Sequence, residues 1–388
     1  MREPQVSMVG CGVVCSVGRG TGALLAALQE NRSGLRADAR FRSSRFQSDI
    51  VGAAPRANLD SDNPAHDLAT DALGEARAAA GELLATISPA RIGLILATTK
   101  ANIEALERLS ARRPCSDVAR RHLQAGLLAA DLAAEHGARG PVQCLSLACT
   151  SGNVALHQGA KWIQRGLADA VFVVGVDHLS EFVVAGFTSL KAIDPAGCRP
   201  FDRDRAGLSP GEAGAAIVLA RGDLVSAPAI TLCGWGSSND ANHMTGPSRD
   251  GAGLAQAIAA ALLAAELRAE DIDCINAHGT GTPYNDAMES AALRKIFEAA
   301  CPPVSGLKGM LGHTLGAAGV VETIACALAL QHQFLPGTPG LAHPADGTPP
   351  SLVLTPRPTK NLRHVLKLNT GFGGLNSALV LSHGEAGS

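Results

Sequence analysis

Cys149 stands in LACTSGNVALHQGAKW, directly before a stretch whose apolar residues recur at helical spacing. At a helix start, unpaired backbone N–H groups and the positive end of the helix dipole converge. Such a place favours thiolate, the form of cysteine that attacks a carbonyl. Thr150, Ser151 and Gly152 keep the turn small, so a substrate carbonyl could approach closely. A cysteine is more often a buried structural residue than a nucleophile, and the rest of the chain has to decide between the two. His278 lies in NAHGTGTPYND (276–286), after a buried-looking strand, with Thr280 and Thr282 on a glycine turn. His313 lies in LKGMLGHTLGAAGVVE (307–322), five residues after Lys308 and nine before Glu322. It too precedes a helix, whose dipole favours a neutral imidazole. In NTGFGGLNSALV (369–380), glycines put Phe372 and its amide on a tight loop.

Cysteine with two histidines permits several chemistries. A Cys-His protease would suit the nucleophile, but no protease signature is nearby. A hydrolase elbow needs glycine two positions to either side of the nucleophile, where Leu147 and Ser151 stand. The spacing is unspecific for zinc, and no metal is expected.

The elements that must position these residues follow from periodicity. Leu156, Ala160, Ile163 and Leu167 share one helical face, and Val171 to Val176 is an apolar run of strand length. Before them come an opening strand and glycine turn (5–17), a short helix (21–31), an alanine-rich helix (66–84) and a strand (92–98). A helical stretch (102–136) breaks near Pro114, and its Arg108, Arg112, Arg113, Arg120 and Arg121 read as a solvated face. Gly10 and Gly12 begin a dinucleotide fingerprint but lack its third glycine, so nucleotide binding is not expected. After a helical piece (179–190), CRPFDRDRAGLSPGEAGAAIVLA (198–220) is turn-rich and ends in a strand. Ser226-Ala227-Pro228 reads as a seam. Beyond it lie a strand (230–234), a helix (253–267), a strand (272–277), a helix (286–297), a strand-turn-helix unit (304–330) and strands at 365–370 and 378–382. GEAGAAIVLA (211–220) and GGLNSALVLS (373–382) echo each other, as do the Cys149 and His313 turns. Repetition of this size predicts a duplicated α/β unit, halves 1–225 and 226–388, with two sheets packed together.

The 388 residues are 46% hydrophobic and 18% charged with net charge −2, which speaks for a compact α/β protein and against general nucleic-acid or membrane-surface binding. Aromatics at 3% leave little for stacking platforms. Ten scattered cysteines without a CxxC pair suggest neither a disulfide framework nor a zinc ribbon. No secretory signal and no uninterrupted apolar stretch of about 18 residues is evident, and a cytoplasmic location is the expectation.

Together ACTSG (148–152), NAHGTGTP (276–283), KGMLGHTLGAAGVVE (308–322) and GFGGLN (371–376) resemble the β-ketoacyl-acyl-carrier-protein synthases, condensing enzymes of the thiolase fold. RPFDRDRAG and SSNDANHMTGP (237–247) are similar as well, and the resemblance runs from about Val6 to Leu381. It implies a thiolase-like, five-layered α-β-α-β-α core and a decarboxylative condensation of an acyl thioester with malonyl-carrier protein, in fatty-acid or polyketide elongation. It implies that Cys149 holds the acyl chain and that the Cys149 and Phe372 amides form the oxyanion hole. His278 and His313 would stabilise the malonyl-derived enolate, with Lys308 and Glu322 in support, orienting His313 and the local charge. Thr280 and Thr282 would bond the phosphopantetheine arm, and Phe372 would gate the pocket. No cofactor beyond that carrier-borne arm is implied. The partners implied are an acyl carrier protein, met by Arg203 and Arg205, and a second identical or ketosynthase-like subunit. The sequence departs from the family at Gly309 and Leu311, where polar residues are common, at Gly207-Leu208, and in a shorter 98–136 segment, so acyl-chain preference does not carry over. A chain-length-factor-like partner subunit and a coenzyme-A-using starter enzyme are the competing readings. The retained Cys149 argues against the first and the second histidine against the other.

Overall fold

The computed structural model describes residues 4–225 and 230–383. Eleven of its strands form one mixed sheet, and two short pairs, 36–37 with 50–51 and 334–335 with 357–358, stand apart from it. The order along the main path is 304–305, 274–276, 364–371, 375–383, 230–239, 6–15, 213–221, 170–177, 92–97 and 142–145. From the middle outward, both sides follow one plan. An opening strand (Val6–Cys15; Ile230–Asn239) pairs antiparallel with a closing strand (Ala213–Arg221; Leu375–His383). Next comes an antiparallel neighbour (Ala170–Asp177; His364–Gly371), then two strands in parallel pairing (Ile92–Ala97 and Val142–Leu145; Cys274–Asn276 and Val304–Ser305). The echoing segments 211–220 and 373–382 therefore supply equivalent strands. The two sides touch through a thin joint, Ser7 and Met8 against Thr231 and Ile230. The expected seam at Ser226-Ala227-Pro228 lies outside the described residues.

Three apolar clusters define five layers. Helices Pro64–Ala79 and Ala125–Glu135 cover the outer face of one side, and Ala252–Ala264 and Pro283–Phe297 that of the other. Helices Ser151–Gln164 and Ala318–His332 fill the space between. Covered on both faces, Ala170–Asp177 is buried at all eight positions, which explains its unbroken apolar run. Residues 315–332 are long and apolar enough by composition to cross a membrane, but 89% of that stretch is buried in this central layer.

The central helices meet at two glycines. A Cβ on Gly152 would lie 2.7 Å from Val320 N, and one on Gly319 would lie 2.3 Å from Asn153 N. Only bare backbone permits this crossing, which brings the two helix N-termini, and the turns before them, together. Gly10 and Gly12 serve close packing too: their Cβ atoms would meet Ala76 O at 2.2 Å and Ala72 O at 2.0 Å. Two expectations need correction. The helix after Cys149 ends at Gln164, so Leu167 lies beyond it and is 52% exposed. In the 102–136 region, which breaks around Pro114 into Ile103–Ser110, Asp117–Arg121 and Ala125–Glu135, Arg108 is not solvated. It is 7% exposed and held by Glu104 Oε1 at 2.9 Å and Asp60 Oδ1 at 3.0 Å.

Candidate active site

The turn that carries Cys149, before helix Ser151–Gln164, is tight and strained. Ala148 has φ +48°, a left-handed conformation that a non-glycine residue holds only when its surroundings enforce it. Enforcement comes from Ser151 Oγ, which donates to Ala148 O (2.6 Å) and accepts from Leu147 N (2.8 Å). This leaves Cys149 buried just ahead of the first helical residue, its Sγ receiving a hydrogen bond from the Phe372 amide. Gly371 makes that approach possible, since its Cβ would lie 3.2 Å from Cys149 N.

His313 is set by the turn-rich 198–220 segment, whose Ser209 O accepts from His313 N (2.7 Å) and whose Gly211 N donates to His313 O (2.9 Å). Asp177, at the end of its strand, bonds Gly316 N (2.7 Å) and Thr98 Oγ1 (2.9 Å), pinning the loop that follows His313. His278 begins a loop whose amides point at the next helix. Glu289 accepts from His278 N (2.6 Å) and Gly279 N (2.7 Å), and Asp286 from Gly281 N (3.2 Å). Burial pushes these carboxyls up, Glu289 to about 7 and Asp286 to about 6.

The three side chains converge. His313 Nε2 lies 3.0 Å from Cys149 Sγ, and the two imidazoles meet edge to face with centroids 5.2 Å apart. One ligating atom from each of Cys149, His278 and His313 lies within 4.8 Å of the others. Hydrogen bonds assign the tautomers. His313 Nδ1 accepts from Leu315 N (3.3 Å), and His278 Nδ1 is met by Lys308 Nζ (3.1 Å) and Asn369 Nδ2 (3.0 Å). In the neutral rings the remaining proton is then on Nε2, which points at the common space. Two Nε2–H donors suit a developing oxyanion and do not suit a metal, which needs a bare nitrogen. Burial and the nearby lysines hold both imidazoles well below the usual histidine range, so they are neutral at physiological pH. Burial also pushes the Cys149 thiol up to about 12, while Lys308 and the Phe372 amide pull the other way. The resting group is therefore a thiol, and the expectation of a thiolate favoured by the helix end is overruled by desolvation.

Lys308 donates to Glu322 Oε1 (2.6 Å) and His278 O (2.5 Å), so it braces His278 rather than His313. Beside the other carboxylate oxygen lies Lys367 Nζ, 2.7 Å from Glu322 Oε2 and fully buried. Gly309, a departure from the family pattern, is required by packing, because its Cβ would fall 1.8 Å from Pro339 O. Cys149, His278 and His313 line a cavity of about 470 Å³ together with Phe187, Phe372, Thr280 and Thr282. The threonine hydroxyls bond each other at 2.8 Å, and Tyr284, 71% exposed, stands at the rim. The Phe187 ring lies between those of His313 (6.5 Å) and Phe372 (6.1 Å).

The two arginines do not join this cavity. Arg203 is exposed beside Asp204. Arg205 corrects the docking expectation, because its side chain is only 12% exposed, faces buried Asp286 at 3.6 Å and donates to Asp202 O at 2.8 Å. Sequence reasoning missed Phe187, Lys367, Asn369, Asp177, Asp286 and Glu289. Only the last pair left a signal, two acids three apart on the helix directly after the His278 turn.

Family models for the N-terminal and C-terminal domains of beta-ketoacyl synthase match residues 3–224 and 230–342. The tetracenomycin polyketide synthase ketoacyl synthase alpha subunit of Streptomyces glaucescens is 35% identical, over 98% of this chain and 97% of its own. The 3-oxoacyl-[acyl-carrier-protein] synthase 2 of Vibrio cholerae is 36% identical over 66% of this chain and 65% of its own. Among solved structures, the ishigamide ketosynthase/chain length factor superposes with a TM-score of 0.91 at 31% identity, covering 99% of this chain and 100% of that one. The ketosynthase ApeO in complex with its chain length factor ApeC from Xenorhabdus doucetiae gives a TM-score of 0.84 at 29% identity, covering 98% of each chain.

Proposed function

The chain belongs to the β-ketoacyl synthase family, and we propose that it elongates a polyketide-type acyl chain through Cys149, His278 and His313. It is a condensing acyltransferase with the thiolase-like fold. The observation that carries the assignment of roles is the convergence of Cys149 Sγ and the two imidazoles within 4.8 Å at the end of one cavity.

In the first step the Cys149 sulfur attacks the thioester carbonyl of an acyl-carrier protein. The carbon–sulfur bond to the carrier breaks, and the cysteine proton leaves with the carrier's thiol. The Cys149 and Phe372 amides donate to the oxyanion of that tetrahedral intermediate. In the second step a malonyl thioester enters, its carboxylate carbon–carbon bond breaks, and carbon dioxide departs. The electron pair moves into an enolate whose oxygen accepts from the Nε2–H groups of His278 and His313. Neutral donors stabilise this anion without protonating it. The enolate carbon then attacks the acyl-Cys149 carbonyl, forms the new bond and expels the cysteine sulfur as thiolate, which takes one proton from solvent water to restore the thiol. Thr280 and Thr282 flank the path of the phosphopantetheine arm, Lys308 and Glu322 brace His278, and Phe372 with Phe187 bounds the acyl end. In this reading 1–225, with the nucleophile, and 226–388, with both histidines, form one catalytic unit.

The reaction calls for an acyl carrier protein as donor, and a ketosynthase-like second subunit of the chain-length-factor kind is the proposed partner, in keeping with the relatives' assemblies. The phosphopantetheine of the carrier is the only prosthetic group the chemistry needs, and the cytoplasm, where carrier-borne intermediates reside, is the location proposed. The test reconstitutes the protein with that subunit, acyl-carrier and malonyl-carrier. Cys149→Ala is expected to lose condensation by on the order of 10³-fold or more. Full activity in this variant would assign the chemistry to the partner subunit and make this chain the chain-length-factor-like member.

A further inference from the structure

Lys367 lies on strand His364–Gly371, is 0% exposed, and touches none of the cavity. An ammonium has only donors to offer; here it donates to Leu368 O at 2.6 Å and Asn369 Oδ1 at 2.6 Å and forms an ion pair with Glu322 Oε2 at 2.7 Å. The second buried ammonium, Lys308, takes the other Glu322 oxygen. Two cations thus share one anion, and the cluster carries a net positive charge in a desolvated place. Such a charge is expensive unless fully bonded, and its retention asks for a reason.

The Asn369 contact supplies one. Because Lys367 can only donate, it must face Oδ1, and this turns the Asn369 N–H₂ toward His278 Nδ1, 3.0 Å away. Lys308 Nζ also donates to that nitrogen, at 3.1 Å; were the amide free to flip, Oδ1 would face Nδ1, oppose that contact and compete for the ring proton, weakening the hold on Nε2–H toward the substrate. We propose that Lys367, acting through Asn369, is a positioning residue for the condensation: it locks the His278 tautomer with Nε2–H toward the forming enolate and supplies the excess positive charge behind it. This rests on the condensation reading and deepens it.

The titratable groups around the His278 ring are Lys308, Lys367, Glu322, His313, Cys149 and Glu289. The lysines oppose a proton on the ring, so removing Lys367 lets His278 protonate at higher pH. A structural role alone would not produce that change.

The experiment uses the intact protein with its partner subunit and measures malonyl-carrier decarboxylation and Cys149 acylation separately. Lys367→Met and Asn369→Leu should each slow decarboxylation on the order of 10- to 100-fold, the range for removing a partner one bond away from an acting group, and slow acylation less. In Lys367→Met the acid limb of decarboxylation should move to higher pH, and the double variant should be no slower than the slower single. Asn369→Asp guards against a folding failure, because it keeps the size and the Lys367 contact but removes the donor to Nδ1. It should melt close to the wild type yet lose decarboxylation. Wild-type decarboxylation with an unmoved acid limb in Lys367→Met, multiplied losses in the double variant, or an active Asn369→Asp would each overturn the proposal. A wild-type protein that fails to decarboxylate in the same assay would overturn the condensation reading instead.

Discussion

Two neutral imidazoles beside a buried thiol set the terms at the scale of residues. Both rings sit below the ordinary histidine value of 6.5 because burial and the lysines penalise their charged form. The unfolded chain takes up protons near pH 6.5 that the folded one refuses, so the stability from the neutral rings is complete above that pH and is lost as pH falls below it. Protonation of the imidazoles should therefore add no acid limb near 6.5 to malonyl decarboxylation, and ring resonances of His278 and His313 that titrate near 6.5 in an NMR pH series would contradict this. Arg205 gives a second prediction. Charge reversal there leaves Asp286 buried beside a carboxylate, so Arg205→Glu should cost about 3–5 kcal/mol, read as a fall in melting temperature. Arg203→Glu disturbs an exposed pair and should change stability by about 1 kcal/mol or less. That Cys149, His278 and His313 belong together was legible in the chain, because side chains able to act as a nucleophile or a neutral donor come from a short menu, and the three do converge. The bonds that give each its state, such as Asn369 to His278, link residues 91 apart and leave no local pattern.

At the scale of elements, the crossing of Ser151–Gln164 and Ala318–His332 holds the sulfur against His313. Each of the two glycines lies within 3 Å of the other helix's backbone once a Cβ is added, so Gly319→Ala must push the helices apart. A loss of about 1–3 kcal/mol is expected from such overpacking, together with a fall in condensation larger than the loss of folded protein explains. Calorimetry and assays on the folded fraction separate the two. Helix and strand existence was readable from periodicity nearly throughout. Ends shifted where capping and packing outvote pattern, as where the helix after Cys149 stops at Gln164 and Leu167 turns to solvent. The glycine of ACTSG was read as small for the substrate's sake; its tighter constraint is the facing helix.

At the scale of the molecule, the two similar sides share one central layer, made of a helix from each and the inner faces of both sheet halves. Neither side can bury that layer alone, so thermal unfolding should be a single transition, and residues 1–225 expressed alone should be insoluble. Two resolved transitions, or a soluble folded fragment, would show the sides to be independent. The chain by itself determined the elements, the repeat and the chemical vocabulary, since periodicity, glycine placement and residue type are local properties. Only the tertiary structure decided that Arg205 is bound to a buried acid, that the Cys149 thiol resists ionisation, and that Lys367 stands behind His278. Charge state and hydrogen-bond direction depend on how deeply a group is desolvated and on which neighbours surround it, and those neighbours are brought together by folding from distant parts of the chain.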